Sequence, residues 1–258
     1  MRITTWNVNS VRSRMDRIAI WLEANAPDVL CMQETKVTND KFPVSKFKEL
    51  GYHVTIHGQS SYNGVAIASK TPMTDVQIGL PIPVDPEARG ISATVNGFKI
   101  INVYVPNGQA VGSEKYLYKL KWLDALTHWV ERVYDPGTRL VLTGDFNIAP
   151  EDRDVYDPGL LAGEILCTSE ERSHFQHLLD IGFSDALRLT TEADKLYTFW
   201  DYRGGAFRLN QGFRIDHILV SESIKDRIGE VRMFRDDRRS LAKLPKPSDH
   251  IPVSVDIN

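Results

Sequence analysis

The sequence predicts an α/β fold in which two mixed β-sheets pack face to face and helices cover their outer surfaces. Strand-like segments outnumber helical ones, helices occur singly between clusters of strands, and proline and glycine punctuate the chain at short intervals. A chain of 258 residues has room for this arrangement, and we expect a single domain over residues 1–258. The polarity of the strands within each sheet does not follow from the pattern.

The first elements of the chain are a strand, a helix and a strand. Side chains alternate between two faces over residues 2–8, which predicts a strand. Asn9 or Ser10 is expected to cap the following helix. One face of that helix carries an apolar set: Val11, Met15, Ile18 and Leu22. The short apolar run 28–33 predicts a buried strand.

The later elements follow from similar patterns. Further strands are predicted at 52–57, 64–69, 91–96, 98–105, 139–144, 214–220 and 251–257. A long helix is predicted over 113–133 and ends before Pro136-Gly137. Its expected inward residues are Leu123, Leu126, Val130 and Val133. A second helix is predicted over 170–181 and ends at Gly182.

The composition excludes several classes of protein. With 42% hydrophobic and 25% charged residues, the chain is neither disordered nor fibrous. It lacks an apolar run of about 18 residues and an N-terminal signal sequence, so we expect no membrane span and a cytoplasmic location. Cys31 and Cys167 are too few for a disulfide framework. Because the net charge is −3, a polyanionic partner would have to meet a local basic surface.

Polar residues recur where predicted strands begin or end. They are Asn7, Glu34, Tyr104, Asp145, Asn147, Asp216, Asp249 and His250. Any one of them, taken alone, is more often a turn residue or a satisfied buried group. Strand ends converge on one rim of a sheet, so we expect these side chains to share a cleft.

Several of these residues are oxygen ligands, which indicates a metal site. Carboxylates buried together are costly unless a cation neutralises them. The oxygen donors of Glu34, Asp145, Asn147 and Asp249 suit Mg²⁺, with Mn²⁺ as an alternative, and do not suit Zn²⁺.

Short motifs along the whole chain resemble those of the exonuclease III family of DNA-repair nucleases, within the endonuclease/exonuclease/phosphatase superfamily. In chain order they are Trp6-Asn7-Val8-Asn9-Ser10, Gln33-Glu34-Thr35-Lys36, Asn102-Val103-Tyr104-Val105-Pro106-Asn107-Gly108, Gly144-Asp145-Phe146-Asn147, Tyr197-Thr198-Phe199-Trp200-Asp201-Tyr202-Arg203, Arg214-Ile215-Asp216-His217 and Ser248-Asp249-His250. The resemblance implies a four-layer α/β sandwich and a Mg²⁺-dependent enzyme that cuts DNA at abasic sites or trims 3′ ends.

The resemblance also implies a role for each polar residue. Glu34 is expected to be the principal Mg²⁺ ligand, and Asp145 to orient or deprotonate the attacking water. Tyr104 and His250 are expected to contact the phosphate, with Asp216 orienting His250. The resemblance implies hydrogen-bond donors at Asn7 and Asn147 and a further acidic metal-site residue at Asp249. The complete set of candidate metal ligands is Glu34, Asp249, Asn7, Asp145 and Asn147. Whether Asp145 or His250 takes the proton stays open.

DNA contact requires local positive charge and aromatic faces. Between residues 202 and 214, Arg203, Arg208 and Arg214 occur without an acidic residue, so we expect them to bind DNA. The run 225–246 is also basic, but an ordinary solvated surface explains it equally well. By resemblance, Phe199, Phe213 and Ile215 line the pocket that takes a base-less sugar.

Leu166 departs from the pattern of the family. Abasic endonucleases of this family commonly have a glycine near this position, where a strand passes close to the backbone. A leucine would fill that space and obstruct a continuous strand, whereas a 3′ terminus could still enter. The alternative is that Leu166 packs beneath its own loop and never meets DNA.

Two other functions compete with the nuclease. One is a superfamily phosphatase, and the other is a non-catalytic nucleic-acid-binding regulator with the same fold. We expect duplex DNA with an abasic site or a 3′ end as the substrate, no evident protein partner, and a monomer. The balance of exonuclease, abasic endonuclease and 3′-phosphatase activity is left open.

Overall fold

Strands and helices alternate along residues 1–81 and 86–258, which this computed structural model describes. The strands are β1 (Arg2–Asn7), β2 (Val29–Gln33), β3 (His53–His57), β4 (Val65–Ser69), β5 (Thr74–Ile78), β6 (Gly90–Val95), β7 (Phe98–Tyr104), β8 (Leu140–Asp145), β9 (Phe183–Asp185), β10 (Asp216–Ser221), β11 (Ile228–Met233) and β12 (Val253–Ile257). The helices are α1 (Met15–Asn25), α2 (Val44–Glu49), α3 (Glu114–Val133), α4 (Pro158–Leu161), α5 (Ser169–Ile181), α6 (Ala186–Thr190) and α7 (Ala206–Leu209). Short 3₁₀ turns lie at Asn39–Lys41, Asp152–Asp154, Glu222–Arg227 and Arg235–Arg238.

The strands form two mixed sheets of six strands each. The order in one sheet is β11-β12-β1-β2-β4-β3, and in the other it is β5-β6-β7-β8-β10-β9. Each sheet has one parallel pair at its centre, β1 with β2 and β7 with β8. A helix connects the two strands of each parallel pair, because such a crossover must pass over the face of the sheet.

Alternation along the strands separates an inner core from two outer ones. Ile3, Val29 and Ile100 point between the sheets, where they join one apolar cluster. Their neighbours on the opposite faces pack beneath α1 on one side and beneath α3 and α5 on the other. The layers are therefore helix, sheet, sheet and helix, which confirms the predicted four-layer sandwich.

The N-terminus of α1 differs from the prediction. The helix begins at Met15, and its N-cap residue Arg14 makes no side-chain capping bond. Asn9 and Ser10 cannot cap it, because they lie upstream with left-handed φ angles of 44° and 86°. The Asn9 side chain is instead bonded to Lys36 and Asp249.

The strands that the sequence analysis missed lie at sheet edges. They are β5, β9 and β11, each of which pairs with only one neighbour in its sheet. Edge strands bury less of each face, so their apolar periodicity is weak. The inward position of Val133 was also wrong: it lies in the last turn of α3 and is 41% exposed. None of the helices in the described residues is long and apolar enough to cross a membrane.

A buried ion network fastens the loop after β8 to the start of β10. Arg214 donates to both carboxylate oxygens of Asp154, at 2.6 and 3.0 Å, and to Asp185 at 2.6 Å. Arg188 adds a 2.5 Å bond to Asp154. Burial alone would raise the pKa of Asp154, but the Arg214 guanidinium outweighs it and holds that pKa below its ordinary value. The network therefore depends on Arg214.

Replacing Arg214 with Met should destabilise the protein by about 3–5 kcal/mol, because buried Asp185 then loses its arginine partner and buried Asp154 keeps only Arg188. Urea unfolding at neutral pH measures the change. Arg203→Met is the matched control, since Arg203 is an exposed arginine with one carboxylate partner, and it should leave the free energy of unfolding unchanged. Equal stability of the two variants would contradict the role of the network.

Candidate active site

The topology brings the polar strand ends to one rim of the sandwich. Asn7 and Tyr104 end β1 and β7, the first strands of the two parallel pairs, and Asp145 ends β8. Asp216 begins β10, which runs antiparallel to β8 and pairs Asp216 with Asp145. All of these strand ends lie on the same side of the sandwich, and alternation turns their side chains toward the space between the sheets.

Glu34 follows β2 in a left-handed conformation, with φ of 51°. Its Oε1 accepts hydrogen bonds from Asn7 Nδ2 at 2.8 Å and from the Tyr104 hydroxyl at 3.0 Å. Lys36 Nζ lies 2.6 Å from Oε2. Burial alone would raise the pKa of Glu34, but the Lys36 ammonium and the Asn7 amide bring it below its ordinary value. The Glu34 side chain is therefore an ionised carboxylate at neutral pH.

Asp145 is buried opposite Glu34. Its Oδ2 accepts from Asn7 Nδ2 at 2.9 Å, and its Oδ1 accepts from the Asn147 backbone N–H at 2.9 Å. Burial raises the pKa of Asp145 well above its ordinary value, despite the opposing effect of His250. A carboxylate with this pKa is a better proton acceptor than one in water.

His250 lies against both of the buried aspartates. Its Nδ1 donates to Asp216 Oδ2 at 2.8 Å, and its Nε2 lies 3.8 Å from Asp145 Oδ2. Burial alone would lower the pKa of His250, but Asp216 and Asp145 together raise it to about 10. The side chain is consequently an imidazolium at neutral pH.

Glu34, Asp145 and His250 form the candidate metal-binding group of the described residues. One ligand atom of each lies within 4.8 Å of the others. Because His250 is protonated, the group offers carboxylate oxygens to a cation. Asp249, a predicted ligand, lies outside this group and accepts from Asn9 Nδ2 at 2.8 Å. Asn7 turns its NH₂ toward the carboxylates, while its Oδ1 accepts from the Asn9 backbone N–H at 3.0 Å.

Asn147 adopts a left-handed conformation, with φ of 50°. Its amide nitrogen donates to the Val105 carbonyl at 2.9 Å, and its amide oxygen accepts from Asn107 at 3.0 Å. Lys119, buried on the inner face of α3, donates to the Asn147 carbonyl at 2.6 Å and pairs with Glu171 of α5. The Asn147 turn is thus held through its side chain by Val105 and Asn107 and through its backbone carbonyl by Lys119.

Sequence reasoning missed Lys119, Lys36 and Asn9 as site residues. Lys119 carried a usable signal, because it shares the apolar face of α3 with Trp122 and Leu123. A lysine in an apolar stripe requires a buried partner. Lys36 and Asn9 lie within recognised motifs, but Lys36 was assigned no role and Asn9 was assigned only the cap of the first helix.

The residues predicted to form the sugar pocket lie together. Phe199, Phe213, Ile215 and Leu166 belong to one apolar cluster. The Phe199 ring is 4.8 Å from the His250 ring and 6.3 Å from the Phe213 ring. Leu166 is buried and has a φ of 75°, a conformation that favours glycine.

The three predicted DNA-binding arginines separate into two kinds. Arg203 is exposed and pairs with Asp201 at 2.9 Å, a partner just outside the segment scanned for acidic residues. Arg208 is also exposed. Arg214 is 1% exposed and belongs to the Asp154 ion network, so its prediction as a DNA contact was wrong. Net charge along a segment does not reveal which cations are already neutralised in the interior.

Known proteins resemble this chain over its whole length. A sequence model of the Endonuclease/Exonuclease/phosphatase family matches residues 4–250. Exodeoxyribonuclease III of Haemophilus influenzae is 34% identical over 98% of both chains. NExo of Neisseria meningitidis, solved as a 3′-5′ exonuclease, is 45% identical with a TM-score of 0.95 and full coverage of both chains. NExo from Neisseria has also been solved as a 3′ phosphatase bound to a product DNA hairpin.

An AP endonuclease of Archaeoglobus fulgidus also resembles this chain, at 41% identity, with a TM-score of 0.95 over 100% of this chain and 99% of that one. The family match covers most of the chain, and the relatives share both its length and its fold. The chain therefore belongs to the exonuclease III family, within the endonuclease/exonuclease/phosphatase family.

Proposed function

We propose that this chain is a DNA-repair nuclease that hydrolyses phosphodiesters with the aid of Mg²⁺. The observation that carries the proposal is the juxtaposition of Glu34, Asp145 and His250 within 4.8 Å at the converging strand ends. The relatives support the proposal, because they are described as an exodeoxyribonuclease, a 3′ phosphatase and an AP endonuclease. Cleavage of labelled duplex in Mg²⁺ but not in EDTA tests the proposal. Binding without cleavage in both would favour a non-catalytic regulator.

The donor set fits Mg²⁺ or Mn²⁺. Glu34 and Asp145 present carboxylate oxygens from opposite sheets, and oxygen ligands are those that these ions prefer. A bound Mg²⁺ would supply positive charge to the phosphate in the transition state. Glu34 is the proposed principal ligand. Asn7 donates to both carboxylates and orients them. Asp249 accepts a hydrogen bond from Asn9 and is proposed to act on the metal site indirectly, through Asn9.

Asp145 is the proposed base. His250 is an imidazolium and has no lone pair available for a proton, whereas burial makes Asp145 a stronger acceptor. Asp145 therefore orients the water and takes its proton. His250 stabilises negative charge on the phosphate, and the second hydrogen of the Asn147 amide donates to a phosphate oxygen. The single hydroxyl hydrogen of Tyr104 is donated to Glu34 and orients that carboxylate.

Phosphate contacts along the DNA backbone are proposed for Arg203 and Arg208, which are exposed. These contacts respond to charge and not to base identity, so they would bind duplexes of any sequence.

Asp145→Asn should lower the single-turnover cleavage rate by about 10²–10⁴, because the amide keeps the shape but cannot accept a proton. Rapid quench with enzyme in excess over DNA measures the chemical step. Asp201→Asn, which removes a carboxylate that pairs with exposed Arg203, should leave that rate unchanged. A wild-type rate in Asp145→Asn would remove Asp145 from the mechanism.

Glu34→Gln should abolish cleavage at limiting Mg²⁺ while duplex affinity stays within about twofold of wild type, because phosphate contacts dominate affinity for DNA. Cleavage across a Mg²⁺ titration and fluorescence anisotropy with labelled duplex measure the two effects. Near-wild-type turnover at limiting Mg²⁺ would show that Glu34 is not the principal ligand.

Asp216→Asn should move the alkaline limb of the pH–rate profile to lower pH. Asp216 raises the pKa of His250, so its neutralisation lets the imidazolium lose its proton at a lower pH. Below that limb the variant should retain activity, because His250 is still protonated there. Single-turnover rates measured between about pH 6 and pH 10 provide the test, because the titrations of Asp145 and His250 are expected to bound the active range. An unmoved alkaline limb would contradict the assignment.

We also propose that processing of 3′ ends exceeds nicking at internal abasic sites. Leu166 packs in the same apolar cluster as Phe199 and Phe213, which are the proposed pocket residues. Its side chain occupies a position whose left-handed backbone would suit glycine. The leucine would therefore hinder a continuous strand more than a strand that ends in the site.

Leu166→Gly should raise internal abasic nicking relative to 3′-end removal on matched duplexes. Leu166→Ala separates two causes, because it shortens the side chain but keeps the strained backbone. A shift in both variants assigns the effect to the leucine side chain, and a shift in Leu166→Gly alone assigns it to the backbone. Efficient internal nicking by the wild type, or an unmoved ratio in both variants, would refute the proposal.

A further inference from the structure

Two buried side-chain amides lie in the otherwise largely apolar layer between the sheets. Gln33 ends β2 in one sheet, and Asn102 lies in β7 of the other. Both are fully buried. Their neighbours along the same strand faces, Cys31 and Ile100, belong to the apolar core between the sheets. Placing amides here carries a desolvation cost that an all-apolar core would avoid, so their hydrogen bonds have to compensate.

The two amides connect the sheets directly. Gln33 Nε2 donates to Asn102 Oδ1 at 2.7 Å and to the Thr5 hydroxyl at 2.9 Å. Asn102 Nδ2 donates to the backbone carbonyls of Met32 and Ala66, each at 3.0 Å. One side chain from β7 is thereby bonded to two strands of the opposite sheet and to Gln33. We refer to Gln33 and Asn102 as the amide clamp.

The amide clamp restricts motion that apolar packing permits. Apolar contacts are non-directional, so two sheets that meet only through them can shift with little loss. A hydrogen bond weakens steeply when its distance or angle changes. The clamp therefore fixes how far each sheet can slide across the other.

The clamp lies directly beneath the active site. Gln33 precedes Glu34, and Asn102 lies two residues before Tyr104 on the same face of β7. The register of β7 with β8 pairs Asn102 with Thr143 and Tyr104 with Asp145. Above the clamp, the Tyr104–Glu34 bond of 3.0 Å and the Asn7–Asp145 bond of 2.9 Å each join the two sheets. A small slide of the sheets would lengthen both bonds.

We propose that Gln33 and Asn102 are positioning residues that set the separation of Glu34 from Asp145 and Tyr104. The inference rests on the proposed nuclease function, since that function requires Glu34 and Asp145 to act on one phosphate. Both side chains of the clamp are fully buried and are bonded only to protein groups in the described residues. It acts through the sheets that carry the reacting groups.

The double variant Gln33→Met/Asn102→Leu tests this role, because it replaces both amides with apolar groups of similar size. Loss of such outer positioning groups is expected to lower Mn²⁺ affinity and the single-turnover rate about tenfold or more. Electron paramagnetic resonance measures the affinity without reference to activity. The KM for DNA should stay unchanged, since no DNA contact is removed.

The matched control is Thr4→Val/Ser254→Ala. Thr4 and Ser254 form a buried hydroxyl pair at 2.7 Å between β1 and β12, within a single sheet. Its removal costs a buried hydrogen bond but frees no motion between the sheets. The control should therefore keep its rate and Mn²⁺ affinity, whatever change in melting temperature it shows. Equal losses in the clamp and control variants would refute the proposal.

An exchange variant covers the case in which the apolar double variant does not fold. Gln33→Asn shortens the clamp, and adding Asn102→Gln restores its combined length with both amides present. The exchange should recover most of the rate and Mn²⁺ affinity lost in Gln33→Asn. Wild-type rate and affinity in Gln33→Asn, or no recovery on exchange, would overturn the clamp. If the wild-type protein cut neither abasic nor 3′-end DNA, the proposed nuclease function would be refuted instead. The Mn²⁺ affinities of the variants would still test the positioning role of the clamp.

Discussion

The Asn7 amide holds two carboxylates from opposite sheets close together, and the active site depends on this contact. Its nitrogen donates to Glu34 at 2.8 Å and to Asp145 at 2.9 Å. Like charges this close repel strongly in a buried environment. The repulsion is offset by donors and cations around the pair: Asn7 itself, Tyr104, Lys36 and His250. The rim thereby combines two carboxylates with the donors and cations that offset their repulsion.

Buried ion pairs away from this rim hold the loops that carry the remaining residues. Lys119 and Glu171 fasten the Asn147 turn to α3 and α5. Asp154 and Arg214 fasten the loop after β8 to the strand that begins with Asp216. A buried charge without its partner is strongly destabilising, so each pair restricts its loop to one arrangement. Side chains on loops can then be positioned almost as firmly as side chains on strands.

Left-handed backbone occurs at several residues in and around the site. Glu34, Lys36, Asn147 and Leu166 all have φ angles between 50° and 75°. Left-handed backbone is costly for residues other than glycine and persists only where surrounding contacts enforce it. For Glu34 and Asn147, those contacts are the hydrogen bonds described above. For Glu34 the left-handed backbone ends the path of β2, and the side chain meets Asn7 and Tyr104 at the rim.

The amino-acid pattern was enough to predict the sandwich and the main residues of the cleft. Short apolar runs such as residues 28–33 identified central strands, because strands buried on both faces are apolar on both faces and give a strong signal. Strand-end position and the motifs selected Glu34, Asp145 and His250, which the tertiary structure places within 4.8 Å of one another. The edge strands β5, β9 and β11 gave no comparable signal.

Which charged side chains are exposed and which are neutralised in the interior became visible in the folded chain. Arg203 and Arg214 look alike along the chain, yet Arg203 is exposed and Arg214 is buried between Asp154 and Asp185. Lys119 and the Gln33–Asn102 contact likewise join residues far apart in sequence. Local sequence reports what a side chain can donate or accept. Its partner, and hence its pKa and its role, depends on which distant segments the fold packs against it.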